Sequence, residues 1–230
     1  MNQGRIVNNL LAALPRRRYE RLLARLEPVV LKFGDVLYRP RAAIRHVYFP
    51  TGSMVSLLSP VEGHQSLEVG LVGREGMLGV PLALGVAVSP VRALVQGAGN
   101  ALRMKSAQFL GELRRNAELH RAVNRYTYDL MVQVTQTAAC NRFHQVEARL
   151  ARWLLMTRDR LGANQFRLTQ EMLGDMLGVL RVAVTNAAGG LQRGKLIRYS
   201  RGEITILDAK ALEAVACSCY QIVKIPSARA

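Results

Sequence analysis

The spacing of hydrophobic residues changes along this chain, and each change predicts a different kind of element. Residues 8–26 carry leucines at helical intervals on two short segments that separate near Pro15. From Pro28 to Lys105, short runs rich in β-branched residues alternate with turns that contain glycine or proline. Strands are predicted there at residues 29–31, 36–38, 44–49, 54–58, 67–72, 91–95 and 101–104. Short strands this close together are typical of a β-roll or jelly roll.

Helical spacing returns after residue 105. Residues 106–115 predict one helix, residues 118–139 a longer one, and residues 142–160 a third. The apolar positions of the long helix are separated by steps close to the heptad pattern of a coiled coil: Leu119, Val123, Tyr126, Leu130 and Val134. This stripe either packs on the helix's own roll or pairs with a second copy of the chain. Because the helix is long for so small a domain, we assign these residues to dimerisation.

Residues 168–206 have the local signals of a helix, a tight turn, a second helix and a β-hairpin. Thr169 can cap the first helix, and Gly178 can adopt the left-handed conformation that a sharp turn requires. The second helix is expected from about Leu180 to Arg193, with its inward face formed by Val184, Ala187, Ala188 and Leu191. Strands at 196–200 and 203–207 follow, joined by Arg201-Gly202. This order predicts a winged helix-turn-helix, which places its second helix in the DNA major groove.

The DNA-facing side of this motif is expected to be polar and basic. The candidate DNA-binding residues are Thr169, Gln170, Arg181, Val182, Thr185, Asn186, Arg193, Lys195, Arg198 and Arg201. Those near the start of the second helix would face bases, and the basic residues beyond it would face phosphates. The alternative is a pair of packed helices and a hairpin without a DNA role. The basic residues on the hairpin and around the second helix favour DNA binding.

Charge and composition agree with this prediction. The 230 residues include 32 lysines and arginines against 16 acidic residues, a formal net charge of +16. Such a charge attracts DNA, but it also attracts other polyanions, so it supports the motif without replacing it. Half of the residues are hydrophobic, as in a folded chain. There is no membrane-length apolar run and no signal-peptide pattern, and three cysteines do not form a disulfide framework, so we expect a cytoplasmic protein without membrane contact.

The succession of β-roll, long helix and winged helix-turn-helix resembles the Crp/Fnr family of bacterial transcription regulators. The most family-like segments are Phe49-Pro50-Thr51-Gly52, His144 to Leu155 and Leu168 to Leu207. The resemblance spans nearly the whole chain and implies an α+β fold. It implies an effector-sensing β-roll of the cyclic-nucleotide-binding type at residues 1–115, a dimerisation helix at 116–141 and a DNA-binding domain at 142–230. It also implies a homodimer on a two-fold-related double-stranded DNA operator, contact with RNA polymerase, and control by an effector.

The residues at the family's effector site argue against cyclic AMP. In the cyclic-nucleotide-binding members, a Gly-Glu pair holds the ribose and an Arg-Ser pair holds the cyclic phosphate. Gly79 and Arg92 match the first residue of each pair, whereas Val80 and Ala93 replace the carboxylate and the hydroxyl. A buried ligand group that loses its polar partner costs roughly 1–3 kcal/mol. We therefore expect no cyclic AMP binding in the usual mode, no required cofactor, and an unidentified effector for which Gly79 and Arg92 are candidate contacts.

Two further departures from the family concern the sensor and the operator. No cysteine precedes Cys140, so the N-terminal iron–sulfur ligands of some members are missing, while His46 and His64 leave haem ligation open. In the second helix, Arg181 matches the first of the family's three best-known base-contacting residues, but Val182 and Asn186 replace a glutamate and an arginine. Arginine can bond guanine and asparagine can bond adenine, so we expect a different operator sequence.

Four soft metal ligands form a separate pattern. Cys140 and His144 are four residues apart, and Cys217 and Cys219 flank one serine near the C-terminal end of the sequence. If the C-terminal segment folds back, these side chains could supply three sulfurs and an imidazole to zinc. Nearby cysteines could alternatively form a redox pair. The simplest interpretation, which we favour from the sequence, is that they are small buried residues.

No motif in the sequence indicates an enzyme. The chain has no P-loop and no nucleophile elbow, and His64 with Glu68 falls short of a cupin metal site. The prediction is therefore a dimeric, sequence-specific transcription regulator. The alternative is a ligand-sensing β-roll adaptor that acts through protein contacts and carries a degenerate DNA-binding domain.

Overall fold

The computed structural model describes residues 8–62 and 66–224, and these residues form two compact units. The first unit contains residues 8–57 and 71–130 of the described chain. The second contains residues 58–62, 66–70 and 131–224. His64, considered above as a haem or metal ligand, lies outside the described residues.

Two antiparallel sheets and several short helices make up the N-terminal part of the chain. The helices are α1 (Asn9–Ala12), α2 (Arg16–Leu23), α3 (Val80–Ala83) and α4 (Ser106–Arg115). The strands are β1 (Glu27–Leu31), β2 (Val36–Tyr38), β3 (His46–Pro50), β4 (Met54–Ser59), β5 (Leu67–Val72), β6 (Arg92–Gly97) and β7 (Gly99–Lys105). Three strands pair in the order β1-β7-β3, and four pair in the order β2-β6-β4-β5. Every strand predicted from the sequence is present, while α3 was not predicted.

The core of the first unit lies between these strands and helix α4. The rings of Phe49 and Phe109 pack at a centroid distance of 6.5 Å, and both are fully buried. Asn8 ties the start of α1 to this core, because its side-chain oxygen accepts from Leu11 N while its Nδ2 donates to the carbonyls of Pro50 and Gly76 at 2.9 and 2.7 Å. A buried amide with all these partners satisfied stabilises the N-terminal segment on the roll.

The long helix α5 (Ala117–Phe143) corrects the sequence-based dimer seam. Leu119, Val123 and Tyr126 are 0%, 0% and 6% exposed and belong to the roll's own hydrophobic core. Leu130 is partly buried against the same core, and Val134 is half-buried. Because residues buried within one chain cannot contact a second copy, the assignment of Leu119, Val123 and Tyr126 to dimerisation is wrong. The apolar spacing was correct, but the stripe packs on its own roll.

The second unit is built around α6 (Val146–Leu161). The elements that follow are β8 (Gln165–Arg167), α7 (Gln170–Leu177), α8 (Arg181–Arg193), β9 (Ile197–Ser200), β10 (Glu203–Ile206), α9 (Ala209–Val215) and α10 (Cys219–Val223). Helix α6 packs against α7, α8, α9 and α10, and its Trp153 is buried with the indole N–H donating to Glu68 at 2.7 Å. The sequence placed the start of this helix at residue 142, but residues 142 and 143 belong to α5. No described helix is long and apolar enough to cross a membrane.

Candidate DNA interface

The turn between α7 and α8 has the geometry that the sequence predicted. The Oγ1 atom of Thr169 accepts from Met172 N at 3.2 Å and caps α7. Gly178 ends the helix at φ +63°, in the left-handed region. A glycine that the sequence did not single out is also required here, because a Cβ on Gly174 would lie 2.9 Å from the carbonyl oxygen of Val179. Together these residues bring the start of α8 close to α7.

Helix α8 has one buried and one exposed face. The buried side chains are Val184, Ala187, Ala188 and Leu191, as predicted. The candidate base-contacting residues are exposed: Arg181, Val182, Thr185 and Asn186. Val182 is 61% exposed although it is apolar, so its side chain is free to meet a partner. The first turns of α8 therefore present a cation, a methyl-bearing surface and two polar side chains to solvent.

A hydrogen bond joins the two helices at this surface. Thr185 Oγ1 lies 2.9 Å from Gln170 Oε1 and 3.1 Å from the carbonyl oxygen of Arg181, and its one proton can be donated to either acceptor. Gln170 was predicted as a phosphate contact. In the structure its amide also positions a residue of the exposed face of α8.

The hairpin beside α8, formed by β9 and β10 and called the wing here, is held by Tyr199. Its hydroxyl donates to the carbonyl of Leu168 at 2.8 Å, and its backbone N–H donates to Gln192 Oε1 at 2.7 Å. Burial raises the pKa of Tyr199, and the positive charge of Arg181 partly opposes this shift. The wing turn has Arg201 and Gly202 at φ +51° and +77°. Strand β8 adds a third strand, in the order β8-β10-β9, which the sequence did not predict.

The basic residues predicted to face phosphates are all exposed: Arg193, Lys195, Arg198 and Arg201. Arg193 ends α8, Lys195 lies in the loop after it, and Arg198 and Arg201 belong to the wing. Residues 141–230 hold fourteen lysines and arginines against seven acidic residues, so this part of the chain carries a clear basic excess. Exposed cations around an exposed helix face are the electrostatic pattern of a nucleic-acid surface.

The candidate effector residues lie in the first unit. Gly79 has φ +102°, and a Cβ there would lie 2.7 Å from Val47 Cγ1, so this position requires glycine. The Nε atom of Arg92 is buried without a hydrogen-bond partner among the described residues. Val80 and Ala93 are 6% and 0% exposed. Two buried apolar side chains therefore stand where the cyclic-nucleotide-binding members have a carboxylate and a hydroxyl.

His46, the other histidine considered for haem, is half-buried on strand β3 with its ring 6.3 Å from that of Tyr48. Burial lowers its pKa, and the charge of Arg103 lowers it further.

The four soft ligands converge in the second unit. The sulfurs of Cys140 and Cys217 are 3.4 Å apart, and Cys219 Sγ lies 3.4 Å from His144 Nδ1. All four donor atoms lie within 4.8 Å of one another. The three cysteines are buried and free, as the simplest interpretation has it, but their convergence with His144 also gives a group that could hold a metal ion.

Hydrogen bonds and charge make the thiols of this cluster unequal. The hydrogen bond with Cys217 lowers the pKa of Cys140 to about 5; burial opposes the shift, and the nearby Arg152 reinforces it. The same hydrogen bond and burial raise the pKa of Cys217. Gln136 Nε2 donates to Cys219 Sγ at 3.0 Å. One sulfur of the cluster is therefore stabilised as a thiolate.

Residues 148–215 match the family model of the Crp-like helix-turn-helix domain. The fold is similar to that of a putative Crp/Fnr transcriptional regulator from Eubacterium rectale, with TM-score 0.68 and 17% identity over 90% of this chain and 96% of that one. A c-di-GMP-responsive global regulator from Xanthomonas campestris gives TM-score 0.68 and 16% identity over 84% and 100%. A Crp/Fnr regulator from Thermus thermophilus gives 0.64 and 22% over 83% and 98%. These matches confirm the predicted α+β fold. A comparison with curated protein sequences finds no match.

Proposed function

We propose that the chain is a DNA-binding transcription regulator of the Crp/Fnr family and that it acts as a homodimer whose α8 helices read a two-fold-related operator. The observation that carries the proposal is the exposed face of α8, with Arg181, Val182 and Asn186 open to solvent beside a basic wing. A helix of this kind enters the major groove with its N-terminal residues against the base edges.

Each exposed side chain has a partner of definite chemistry. Arg181 can donate two hydrogen bonds to O6 and N7 of guanine, which is the most common specific contact in the major groove. Val182 can only pack on a thymine methyl, and Asn186 can bond adenine. Thr169, Gln170 and the basic residues beyond α8 would fix the helix on the backbone through phosphate contacts.

The dimer needs a surface other than the buried stripe of α5. Near its middle, the exposed side of this helix includes two large apolar side chains, Tyr128 and Met131, which are 61% and 58% exposed. They are three residues apart, so they lie on one face of the helix. We assign this exposed apolar face to contact with a second copy. A two-fold-related operator requires such a dimer, with its two α8 helices about 34 Å apart.

The residues at the candidate effector site of the β-roll indicate which ligands it can bind. The burial of Val80 and Ala93 supports the absence of cyclic AMP binding in its usual mode, since neither can bond a ribose hydroxyl or a phosphate oxygen. Gly79 and Arg92 stay the candidate contacts for another ligand, and the unpartnered Nε of Arg92 favours an anionic one. Contact with RNA polymerase is part of the same proposal and rests on the family alone.

The deciding experiment selects DNA sequences from a random pool with the full-length protein and then compares variants on the enriched operator. Arg181→Ala should lower selectivity for the operator about ten- to a hundredfold at each half-site, because a bidentate arginine–guanine pair contributes roughly 1–3 kcal/mol of discrimination. Lys210→Ala removes an exposed cation on α9 and serves as the control.

Two results would contradict this assignment. An unchanged operator footprint for Arg181→Ala would exclude the residue as a base contact. Failure of the wild-type protein to enrich any sequence, with salt-dependent binding to all DNA alike, would instead favour the adaptor that acts through protein contacts.

A further inference from the structure

We propose that Cys140, His144, Cys217 and Cys219 bind one structural zinc ion that fastens the C-terminal helices α9 and α10 to the end of α5. This site is separate from the proposed DNA contacts. It adds a metal centre to the DNA-binding unit and does not depend on the identity of the operator or the effector.

The distances fit a single tetrahedral ion. Zinc binds sulfur at about 2.3 Å and imidazole nitrogen at about 2.0–2.1 Å, so with three sulfurs and one nitrogen the corners of its tetrahedron lie roughly 3.5–3.8 Å apart. The Cys140–Cys217 and Cys219–His144 contacts are both 3.4 Å, and no two donor atoms are more than 4.8 Å apart. An iron–sulfur cluster has its ligands on different iron ions and would hold them farther apart. The donors are therefore arranged around one point.

The donor set favours zinc in a structural role. Three thiolates and one imidazole are the soft and borderline ligands that select zinc over magnesium, calcium or manganese. Four protein ligands complete a tetrahedron and leave no position for water or substrate, which distinguishes a structural site from a catalytic one. The three sulfurs are buried and His144 is half-buried, so the ion would be shielded from solvent.

Two buried arginines on α6 match the charge of such a centre. Zinc with three thiolates and a neutral imidazole carries a net charge of −1. Arg149 and Arg152 are 5% and 3% exposed and interact electrostatically with Cys140, and no carboxylate among the described residues forms a salt bridge with either. Buried charges are normally paired, and here the metal–thiolate group supplies the partner. The Gln136 amide donates to Cys219 and would orient that ligand.

The surroundings show what the ion would stabilise. Cys217 N donates to the carbonyl of Ala148 at 3.4 Å, and Tyr220 donates to Asp159 at 2.8 Å, so the C-terminal segment already lies on α6. Cys140 and Cys217 are separated by 77 positions in the sequence. A metal bridge across so long a loop would restrict the unfolded chain and so stabilise the folded unit.

The test measures metal in full-length protein purified under reducing conditions without chelators. Elemental analysis should give one zinc ion per chain in the wild type. The double variant Cys217→Ser/Cys219→Ser and the single variant His144→Gln should lose most of it. Ser218→Ala, between the two cysteines, and His120→Gln, an exposed histidine earlier on α5, are the matched controls and should keep it.

A second measurement uses only the wild type, so it stands even if the ligand variants fail to fold. Titration with a mercurial thiol reagent should release zinc in step with the loss of thiols, and cobalt(II) in place of zinc should give the ligand-field bands of a tetrahedral thiolate site. Folded, reduced wild type without metal would overturn the proposal. So would zinc that persists in the double cysteine variant, or zinc whose release does not follow the thiols.

Discussion

At the scale of single residues, glycines mark where backbone and side chain approach most closely. A Cβ on Gly76 would lie 1.9 Å from the ring of Tyr126, whose side chain is buried in the roll core. Gly111 on α4 has no neighbouring atom within 4 Å of the same position. The two glycines therefore have different roles, close packing at one and none at the other, although the sequence does not distinguish them.

This contrast gives a prediction for stability. Gly76→Ala should lower the free energy of unfolding by about 1–3 kcal/mol, because the ring of Tyr126 and the loop must move apart. Gly111→Ala should leave it unchanged or raise it by up to about 1 kcal/mol, since alanine is the better helix former. Urea unfolding of the full-length protein, followed by circular dichroism, measures both. Equal effects of the two substitutions would contradict the packing seen at Gly76.

Residues whose role is local could be predicted from the sequence. Thr169 and Gly178 act within one helical turn, so a cap and a left-handed stop were recognisable from residue type and position. Gly76 acts on the ring of Tyr126, which is far along the chain, and only the fold brings those atoms close. The soft ligands lie between these cases. Their chemistry was visible in the sequence, but their convergence depends on how the C-terminal segment folds back.

At the scale of elements, α5 shows where periodicity stops being informative. Steps of three and four residues identify a face that is buried, but a coiled-coil partner and the chain's own roll produce the same spacing. Leu119 and Val123 face the roll. Strand β8 was missed for a related reason, since three residues acquire strand structure only through pairing with β10. Local sequence therefore predicted the elements better than it predicted their partners.

The exposed face of α5 can be tested separately. Met131→Glu should shift the full-length protein from dimer to monomer, because a charge placed in an apolar interface loses its solvation without gaining a partner. Val30→Glu introduces the same charge at an apolar residue of β1 that is 69% exposed, and it should leave the dimer intact. Sedimentation velocity measures both variants. A dimer of unchanged affinity in Met131→Glu would place the interface elsewhere.

At the scale of the whole molecule, the net charge of +16 predicts strong nonspecific attraction to DNA. That attraction cannot by itself show which residues touch phosphate, because every surface cation contributes to the field. The salt dependence of binding separates direct phosphate contacts from the general attraction, since each phosphate contact releases counterions and steepens the decrease of affinity with salt. The electrostatic field therefore depends on all the surface cations of the chain, while the slope of log affinity against log salt reports the number of phosphate contacts.

Lys195, in the loop between α8 and the wing, is the residue on which to test this distinction. Lys195→Ala should weaken binding about equally on operator and unrelated DNA and reduce the slope of log affinity against log salt by about two for the dimer, which is about one for each protomer. Lys210→Ala removes the same charge from α9 and should lower affinity slightly while the slope stays the same. Fluorescence anisotropy across a salt series measures both. Equal slopes in the two variants would mean that Lys195 contributes only to the general field, and that the phosphate contacts lie on the wing or on α8 itself.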